Sequence, residues 1–243
     1  MTNGGFGLDV LAIAAHPDDV ELTCGGLLAR AAKDGHSAGV IDLTAGEMGT
    51  RGTAETRAAE ARAAAATLGL RVRECLGLPD GRLENTMEAR LRVAEALRRH
   101  RPRVVVAPYP LDLHPDHAHA GEIVRDAYFL ARLRKLGSGG AHQPRALLFT
   151  MHHTTFEPTL VVDISDVFET KMAACRAYAS QLHDPASAEP ATQISGPYFL
   201  EAIAARARYH GSLIDVRYGE GFRTLETLPM GDVVRHFGGR ERQ

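Results

Sequence analysis

Two short clusters of histidine and aspartate carry the residue types that metal chemistry needs. The first is His16-Pro-Asp18-Asp19 and the second is His114-Pro-Asp116-His117. Two imidazoles and one carboxylate form a three-ligand site for Zn²⁺ or Fe²⁺ that leaves one coordination position open for water. The other carboxylates and the third imidazole would then be available as a general base and as an acid or electrophile. The clusters therefore predict a metal site that has its own acid–base groups.

Each cluster follows an apolar run that reads as a buried strand. Residues 8–15 lead into the first cluster, and residues 104–107 precede the second after a Pro-rich turn. Ligands of open α/β sheets bind outside the carboxyl ends of the strands, so both clusters are expected at one edge of a sheet. A His-Pro-Asp sequence also suits a turn or a helix cap, and either cluster alone would fit that role. The equivalent placement of two such clusters favours a shared site.

Strand-like and helix-like runs alternate through the first half of the chain. This alternation predicts right-handed βαβ crossovers and a Rossmann-like, three-layer α/β/α fold with a mostly parallel sheet. No linker is evident, so a single domain is expected over residues 1–243. The expected strands are 8–15, 38–43, 104–107, 146–151 and 159–164, and the expected helices are 20–33, 55–68, 87–100, 116–136, 166–180 (capped by Ser165) and 197–210. Residues 183–196 are expected to form an exposed loop that is a candidate gate for the site.

The overall composition argues against several kinds of partner. A net charge of −2 gives no electrostatic basis for binding nucleic acid. No apolar run approaches the roughly 20 residues that span a bilayer, and the N-terminus lacks the basic start of a signal peptide. Three widely spaced cysteines indicate reduced thiols. We therefore expect a cytoplasmic protein that binds neither nucleic acid nor membrane.

Other histidines are weaker candidates for the site. His119 lies two residues after His117, so on a helix it faces away from that residue's partners. His152 and His153 end a predicted strand, and one of them is a candidate for lining the pocket. The remaining candidates lie at predicted helix ends, where capping or surface roles are expected: His36, His100 and His210.

The two clusters with their flanking residues resemble a known family. "AHPDDVELTCGG" and "HPDHAHAG" are similar to the paired signatures of the PIG-L/LmbE-like deacetylases, metal-dependent hydrolases that remove acetyl groups from N-acetylglucosamine (GlcNAc) conjugates. The likeness continues in "DLTAGEMGTRGTAETRAAEA", "LPDG", "YASQ" and "RARYHGSLIDVRYGEGF". The last block resembles the subgroup that deacetylates N-acetylglucosaminyl-malate in bacillithiol biosynthesis.

This resemblance implies a role for each charged residue of the first cluster. His16 and Asp19 correspond to metal ligands, and His117 from the second cluster corresponds to the third. Asp18 corresponds to the general base that takes a proton from the attacking water. Zn²⁺ is the expected metal, with Fe²⁺ as the alternative. Relatives in the bacillithiol subgroup form hexamers, so the resemblance also implies a homo-oligomer.

Further roles follow from the second cluster and from more diffuse motifs. His114 corresponds to the residue that stabilises the oxyanion or protonates the leaving amine, and Asp116 to the carboxylate that orients it. Arg57 resembles a substrate-binding arginine, and Tyr198 resembles a tyrosine that leans over the metal. Leu113 departs from the pattern, since relatives often carry a basic or polar residue there.

The segment 46–53 follows the second predicted strand and is a candidate substrate loop. It supplies Glu47 and Arg51, with Arg57 close behind. A malate aglycone brings two carboxylates, and guanidinium groups are their preferred partners. Glu47, Arg51, Arg57 and Tyr198 therefore form the predicted substrate-binding set.

Three alternatives stay open at the level of sequence. A deacetylase of the same family could act on a mycothiol-type or a chitobiose-type GlcNAc conjugate. A non-catalytic metal-binding α/β protein is a second alternative, although Asp18 and His114 would then have no task. A nucleotide-binding module is disfavoured because neither GxGxxG nor a Walker-type loop follows the first strand.

Overall fold

A computed structural model describes residues 7–137, 140–227, 229 and 231–232. Its centre is a parallel sheet with the strand order β3-β2-β1-β4-β5. A second, antiparallel pair of strands, β6 and β7, is joined to the β5 edge through a bridge between Phe149 and Arg223. The strands are β1 Val10–Ala14, β2 Ala38–Asp42, β3 Val72–Cys75, β4 Val104–Pro108, β5 Ala146–Thr150, β6 Leu160–Asp163 and β7 Gly219–Phe222.

Helices cover both faces of the parallel sheet. Successive side chains of β1 point to opposite faces, so Ala12 packs in the core under α1, α2 and α5, and Ile13 packs in the core under α3 and α4. The predicted three-layer α/β/α architecture is confirmed. The helices are α1 Asp19–Lys33, α2 Ala54–Leu68, α3 Met87–His100, α4 Pro115–Leu130, α5 Phe168–Arg176 and α6 Phe199–Ser212.

Helix α2 shows why helix ends in the first half of the chain could be predicted from the sequence. The Thr53 hydroxyl accepts a hydrogen bond from the Thr56 N–H at 3.2 Å and caps the N-terminus. Gly69 ends the helix with a φ of 70°, a left-handed conformation that favours glycine. Both signals are local in sequence, so the expected range 55–68 differs from the observed helix by one residue.

Long-range contacts shortened two expected helices. Helix α4 ends at Leu130 rather than at residue 136, because the buried Arg98 guanidinium donates to carbonyl oxygens of the following turn, including Ala131 at 3.0 Å. Helix α5 begins only at Phe168. Ser165 does not cap it; its hydroxyl instead bonds the backbone of Tyr218 beside β7.

Strand β3 was missed because two of its four residues are charged. The Arg73 side chain donates to both carboxylate oxygens of Asp42 on β2, each at 2.9 Å, and also to the buried Glu21. A charged residue on this edge strand is thus satisfied by partners far away in the chain. Alternation of apolar and polar residues cannot reveal such a strand.

Helix α1 is kinked at Cys24, where φ is −138°. The buried Glu220 carboxylate accepts hydrogen bonds from the N–H groups of Gly26 and Leu27, at 2.8 and 2.6 Å. Lys171 Nζ donates to Glu220 at 2.5 Å and to the Leu22 carbonyl at 3.1 Å. A buried ion pair therefore replaces the helical bonds lost at the kink, and it fixes the direction of the first turn of α1.

The carboxyl ends of β1 and β4 lie side by side, since Ala12 is in register with Val106. The chain segments that follow these strands therefore emerge at one edge of the sheet, and each carries one of the two His-Pro-Asp clusters. Within the described ranges, no helix combines the length and the apolar character needed to cross a bilayer.

Candidate metal centre and active site

The two clusters meet around the Asp19 carboxylate. His16 Nδ1 lies 3.3 Å from Asp19 Oδ2, and His117 Nε2 lies 3.3 Å from Asp19 Oδ1. The potential ligand atoms of these three residues all lie within 4.8 Å of one another. Two imidazole nitrogens and one carboxylate that converge in this way suit a divalent cation such as Zn²⁺ or Fe²⁺.

The backbone of the first cluster is shaped to bring its two carboxylates to different places. Asp18 has a φ of 105°, a conformation that residues other than glycine rarely adopt. Asp19 Oδ2 accepts a hydrogen bond from the His16 N–H at 2.8 Å and closes the turn. Such strain concentrates at functional sites when the surroundings fix it. Here it lets the Asp19 carboxylate lie between the two histidines while Asp18 faces Arg57.

Asp18 is buried beside a cation and has an altered acidity. Its Oδ2 lies 3.2 Å from Arg57 Nη2 but accepts no well-oriented hydrogen bond within the described residues. Burial raises the pKa of Asp18 to about 7, although the Arg57 guanidinium opposes the rise. A carboxylate with a pKa near neutrality is well matched to general-base work.

Each histidine of the metal cluster has a carboxylate at its other ring nitrogen. His16 Nε2 lies 3.0 Å from Asp80 Oδ1 and 3.5 Å from Asp116 Oδ2, and His117 Nδ1 lies 3.3 Å from Asp112 Oδ1. Burial opposes the charged form, but the Asp19 and Asp112 carboxylates raise the pKa of His117 to about 9. Carboxylates placed in this way orient the ring of a metal ligand and increase its basicity.

Asp112 also connects two loops of the site. Its carboxylate accepts hydrogen bonds from the N–H groups of His114, His153 and Thr154, each at 3.0 Å. These donors belong to the segments that follow β4 and β5. Burial raises the pKa of Asp112, but the His117 ring and the N–H donors outweigh it and hold that pKa below its ordinary value. Asp112 is therefore an ionised centre that aligns both segments with His117.

Sequence analysis missed Asp80 and Asp112. Asp80 lies in "LPDG", a motif that was noted only for its resemblance, and it reaches His16 from the segment after β3. Asp112 lies two residues before the second cluster. The signal that could have found Asp112 is its position just beyond the carboxyl end of the expected strand 104–107. Asp80 follows β3, which the sequence pattern does not reveal.

His114 and Asp116 are arranged differently from the expectation. The Asp116 carboxylate does not orient the His114 ring: it accepts from the N–H groups of Gly81 and Leu83, at 2.7 and 3.3 Å, and approaches His16. The bond between the two residues runs from the Asp116 N–H to His114 Nδ1, at 3.2 Å. His114 is the N-cap of α4, and its ring accepts a hydrogen bond from the Asp116 N–H, one of the first N–H groups of that helix.

This cap decides what the His114 ring offers to a ligand. Because Nδ1 accepts a hydrogen bond, the neutral ring carries its proton on Nε2. Burial lowers the pKa of His114, as do the positive charges of His117 and His16. The ring is therefore a neutral donor through Nε2–H, which suits a hydrogen bond to an oxyanion rather than the protonation of a leaving amine.

Both His152 and His153 line the cavity above the metal cluster, where only one was expected. His152 is buried, and its Nδ1 lies 3.7 Å from Asp19 Oδ1. Burial lowers the pKa of His152 to about 3, so this imidazole is neutral. The cavity has a volume of about 420 Å³, which suits a small ligand. Its other walls come from the segments 48–50 and 192–194 and from the start of α6, through Met48, Gly49, Thr50, Thr192, Gln193, Ile194, Phe199, Ile203 and Arg206.

The predicted substrate-binding set is largely engaged in other contacts. Arg51 is buried, and its guanidinium donates to the Ser180 carbonyl at 3.0 Å and to the Ser187 hydroxyl at 3.1 Å. Its Nε also lies 3.5 Å from Glu189. Arg51 is not among the residues that line the cavity. It ties the expected 183–196 loop to the segment 46–53 instead of reaching a ligand.

Arg57, Glu47 and Tyr198 also differ from the expectation. Arg57 reaches the cavity, but it donates to the carbonyls of Pro17 and Gly46 and faces Asp18. Glu47 accepts from the Asp80 N–H at 2.9 Å and so supports the carboxylate behind His16. Tyr198 is 72% exposed and does not line the cavity, since it precedes α6 on the outer surface.

Comparison with known proteins places this site in context. The profile of the PIG-L family, described as GlcNAc-PI de-N-acetylase, matches residues 11–128, which include both clusters. The diacetylchitobiose deacetylase of Thermococcus kodakarensis is 32% identical over 88% of this chain and 82% of its own length.

Two solved structures share this fold over most of their length. The conserved protein TT1542 from Thermus thermophilus is 43% identical, with a TM-score of 0.84 over 92% of this chain and 97% of its own. GalB, a 4-carboxy-2-hydroxymuconate hydratase from Pseudomonas putida KT2440, is 21% identical, with a TM-score of 0.78 over 93% of this chain and 100% of its own. At that identity the likeness concerns the fold alone, so the reaction has to be argued from the site.

Proposed function

Because the chain belongs to the PIG-L family of de-N-acetylases, we propose that it is a metal-dependent hydrolase that removes the acetyl group from a GlcNAc conjugate. The observation that supports this most directly is geometric: His16, Asp19 and His117 converge at the cavity that the buried Asp18 carboxylate also lines. A divalent metal held by His16, Asp19 and His117 would supply the Lewis acidity that makes a water molecule a nucleophile near neutral pH.

The protein's own groups can carry the remaining steps. Asp18 takes a proton from the attacking water, and Arg57 holds the carboxylate in place. The His114 Nε2–H donates a hydrogen bond to the oxygen of the tetrahedral intermediate, where a preorganised donor is most effective. Asp18 then passes the proton that it took from water to the leaving amine, and acetate and a free glucosamine are the products. Asp80 and Asp112 keep the ligand rings in orientation.

For the substrate, we propose N-acetylglucosaminyl-malate. Support comes from the segment "RARYHGSLIDVRYGEGF", which resembles the bacillithiol-type subgroup. A chitobiose-type substrate is the second candidate, favoured by the identity with the Thermococcus diacetylchitobiose deacetylase. We propose Zn²⁺ as the native metal. The same ligand set also suits Fe²⁺, and elemental analysis of the purified protein can tell the two apart.

Acetate release from a panel of substrates tests the proposal. N-acetylglucosaminyl-malate, N-acetylglucosaminyl-inositol and diacetylchitobiose are incubated with the Zn²⁺-loaded enzyme and with enzyme treated with chelator. We expect chelator-sensitive release that is fastest with the malate conjugate. Fastest release from diacetylchitobiose would support the proposed deacetylase activity but replace the malate conjugate as the proposed substrate. No release from any of the three would reject the deacetylase.

A further inference from the structure

Two arginines line the active-site cavity, and their partners differ. Arg57 faces Asp18, as described above. Arg206, on the inner face of α6, donates through Nη1 to the Met151 carbonyl at 3.1 Å. Across residues 7–137, 140–227, 229 and 231–232, no carboxylate forms an ion pair with it. A guanidinium has five N–H donors, so a single bond to a carbonyl leaves most of them available.

The Asp112 carboxylate acts on Arg206 from nearby but forms no ion pair with it. Burial lowers the pKa of Arg206, and the nearby Asp112 opposes this shift. Asp112, however, already accepts bonds from His117 and from three backbone N–H groups. On the other side, Arg206 borders a small cavity in which Glu220 is bonded to Lys171. A partly buried guanidinium without a counter-ion is unfavourable unless a ligand supplies one.

We propose that Arg206 binds a carboxylate inside the active-site cavity. The planar guanidinium presents paired donors that match the two oxygens of a carboxylate. Two sources can supply this group: an acidic aglycone on the GlcNAc conjugate or the acetate product. The proposal rests on the proposed function for both sources. It also replaces Arg51 and Arg57, whose donors are engaged elsewhere, as the anchor for an acidic substrate.

Kinetics of three variants distinguish the two sources. Arg206→Met removes the charge, Arg206→Lys keeps the charge without the fork, and Arg208→Met removes an exposed charge from the same helix as a matched control. If the aglycone is the ligand, Arg206→Met raises KM for N-acetylglucosaminyl-malate about tenfold or more, as expected for a lost charged hydrogen bond, and leaves KM for diacetylchitobiose unchanged. If acetate is the ligand, the inhibition constant of acetate rises about tenfold instead. Arg206→Lys should lie between wild type and Arg206→Met.

Two results would overturn the proposal. One is an Arg206→Met enzyme in which neither the KM for the malate conjugate nor the inhibition constant of acetate changes. The other is an equal loss with both substrates together with a lower melting temperature, because this would make Arg206 a structural support for Met151. Arg208→Met should match wild type in every measurement.

Calorimetry separates this proposal from the proposed function. Acetate and L-malate are titrated into the Zn²⁺-loaded wild type, Arg206→Met and Arg208→Met. Binding that is about tenfold weaker in Arg206→Met alone supports the subsite, even if no GlcNAc conjugate is hydrolysed. Equal affinity in all three proteins, or no binding to the wild type, rejects the subsite, even if the enzyme is an active deacetylase.

Discussion

The floor and the wall of the active-site cavity are built by different kinds of contact. We define the floor as His16, Asp18, Asp19, His114 and His117, and the wall as the segments 46–53 and 180–196. In the floor, the His16 N–H donates to Asp19 three residues away, and the Asp116 N–H donates to His114 two residues away. In the wall, Arg51 donates to Ser180 across 129 residues, and Gln181 donates to Arg51 across 130.

The reactive groups and the substrate-facing groups are therefore positioned by different kinds of contact. The reactive groups are fixed by short turns at strand ends, so their arrangement depends mostly on neighbouring sequence and on the register of β1 with β4. The substrate-facing groups depend on how two remote segments pack against each other. Changes in the floor should therefore act on metal content and kcat, whereas changes in the wall should act on KM and on the stability of the segments.

The largest effect is expected from His117→Ala. This change removes one of the three proposed metal ligands and the ring that lies between the Asp19 and Asp112 carboxylates. Metal content should fall far below one per chain, and activity should fall to the level of chelator-treated enzyme. Elemental analysis and acetate release measure both, with His36→Ala as the control at an exposed histidine. Full metal occupancy in His117→Ala would show that the ligand set is different.

Asp18→Asn should act on turnover alone. The amide keeps the shape of the side chain but cannot take a proton, so kcat is expected to fall about 10²- to 10⁴-fold while metal content stays at the wild-type level. The control is Asp34→Asn at the exposed C-terminal end of the same helix. A kcat within a few-fold of wild type would mean that another group accepts the proton of the attacking water.

The sequence predicted much of the floor for a physical reason. Parallel strands must place their carboxyl ends together, so the two His-Pro-Asp clusters at the ends of β1 and β4 could be assigned to one site. The three-layer fold followed from the same alternation of strands and helices. Strand β3 was missed because Arg73 finds its partners, Asp42 and Glu21, through tertiary contacts.

The wall was not predictable by the same reasoning. A guanidinium such as that of Arg51 can bind a ligand carboxylate or a backbone carbonyl with similar geometry, and its sequence neighbours do not say which. The predicted role for the Asp116 carboxylate failed similarly, because Gly81 and Leu83 approach it from a distant loop. Arg206 lies outside the wall segments, in α6, whose sequence is typical of a surface helix. Only the packing of that helix brings Arg206 to the cavity.

Asp112→Asn tests the connection between the floor and the segment that follows β5. The amide keeps the size of the side chain but weakens the bond to His117 Nδ1 and the three bonds from backbone N–H groups. Changes next to a metal ligand typically cost about 10- to 100-fold in metal affinity or activity. Competition with a chromophoric chelator measures the affinity, with Asp34→Asn at the exposed end of α1 as control. Unchanged affinity would show that the position of His117 is fixed by α4 without Asp112.

The smallest effect is expected from Arg51→Met, which removes the tie between the two wall segments. The lost bonds to Ser180 and Ser187 should destabilise the fold by about 1–3 kcal/mol, and KM should rise severalfold because Thr192 and Gln193 of the same wall line the cavity. Metal content and kcat should match wild type, as should every property of the exposed Arg62→Met control. A variant that lost kcat but kept KM and stability would contradict the separation of floor from wall, since Arg51 contacts the wall and the metal cluster is built without it.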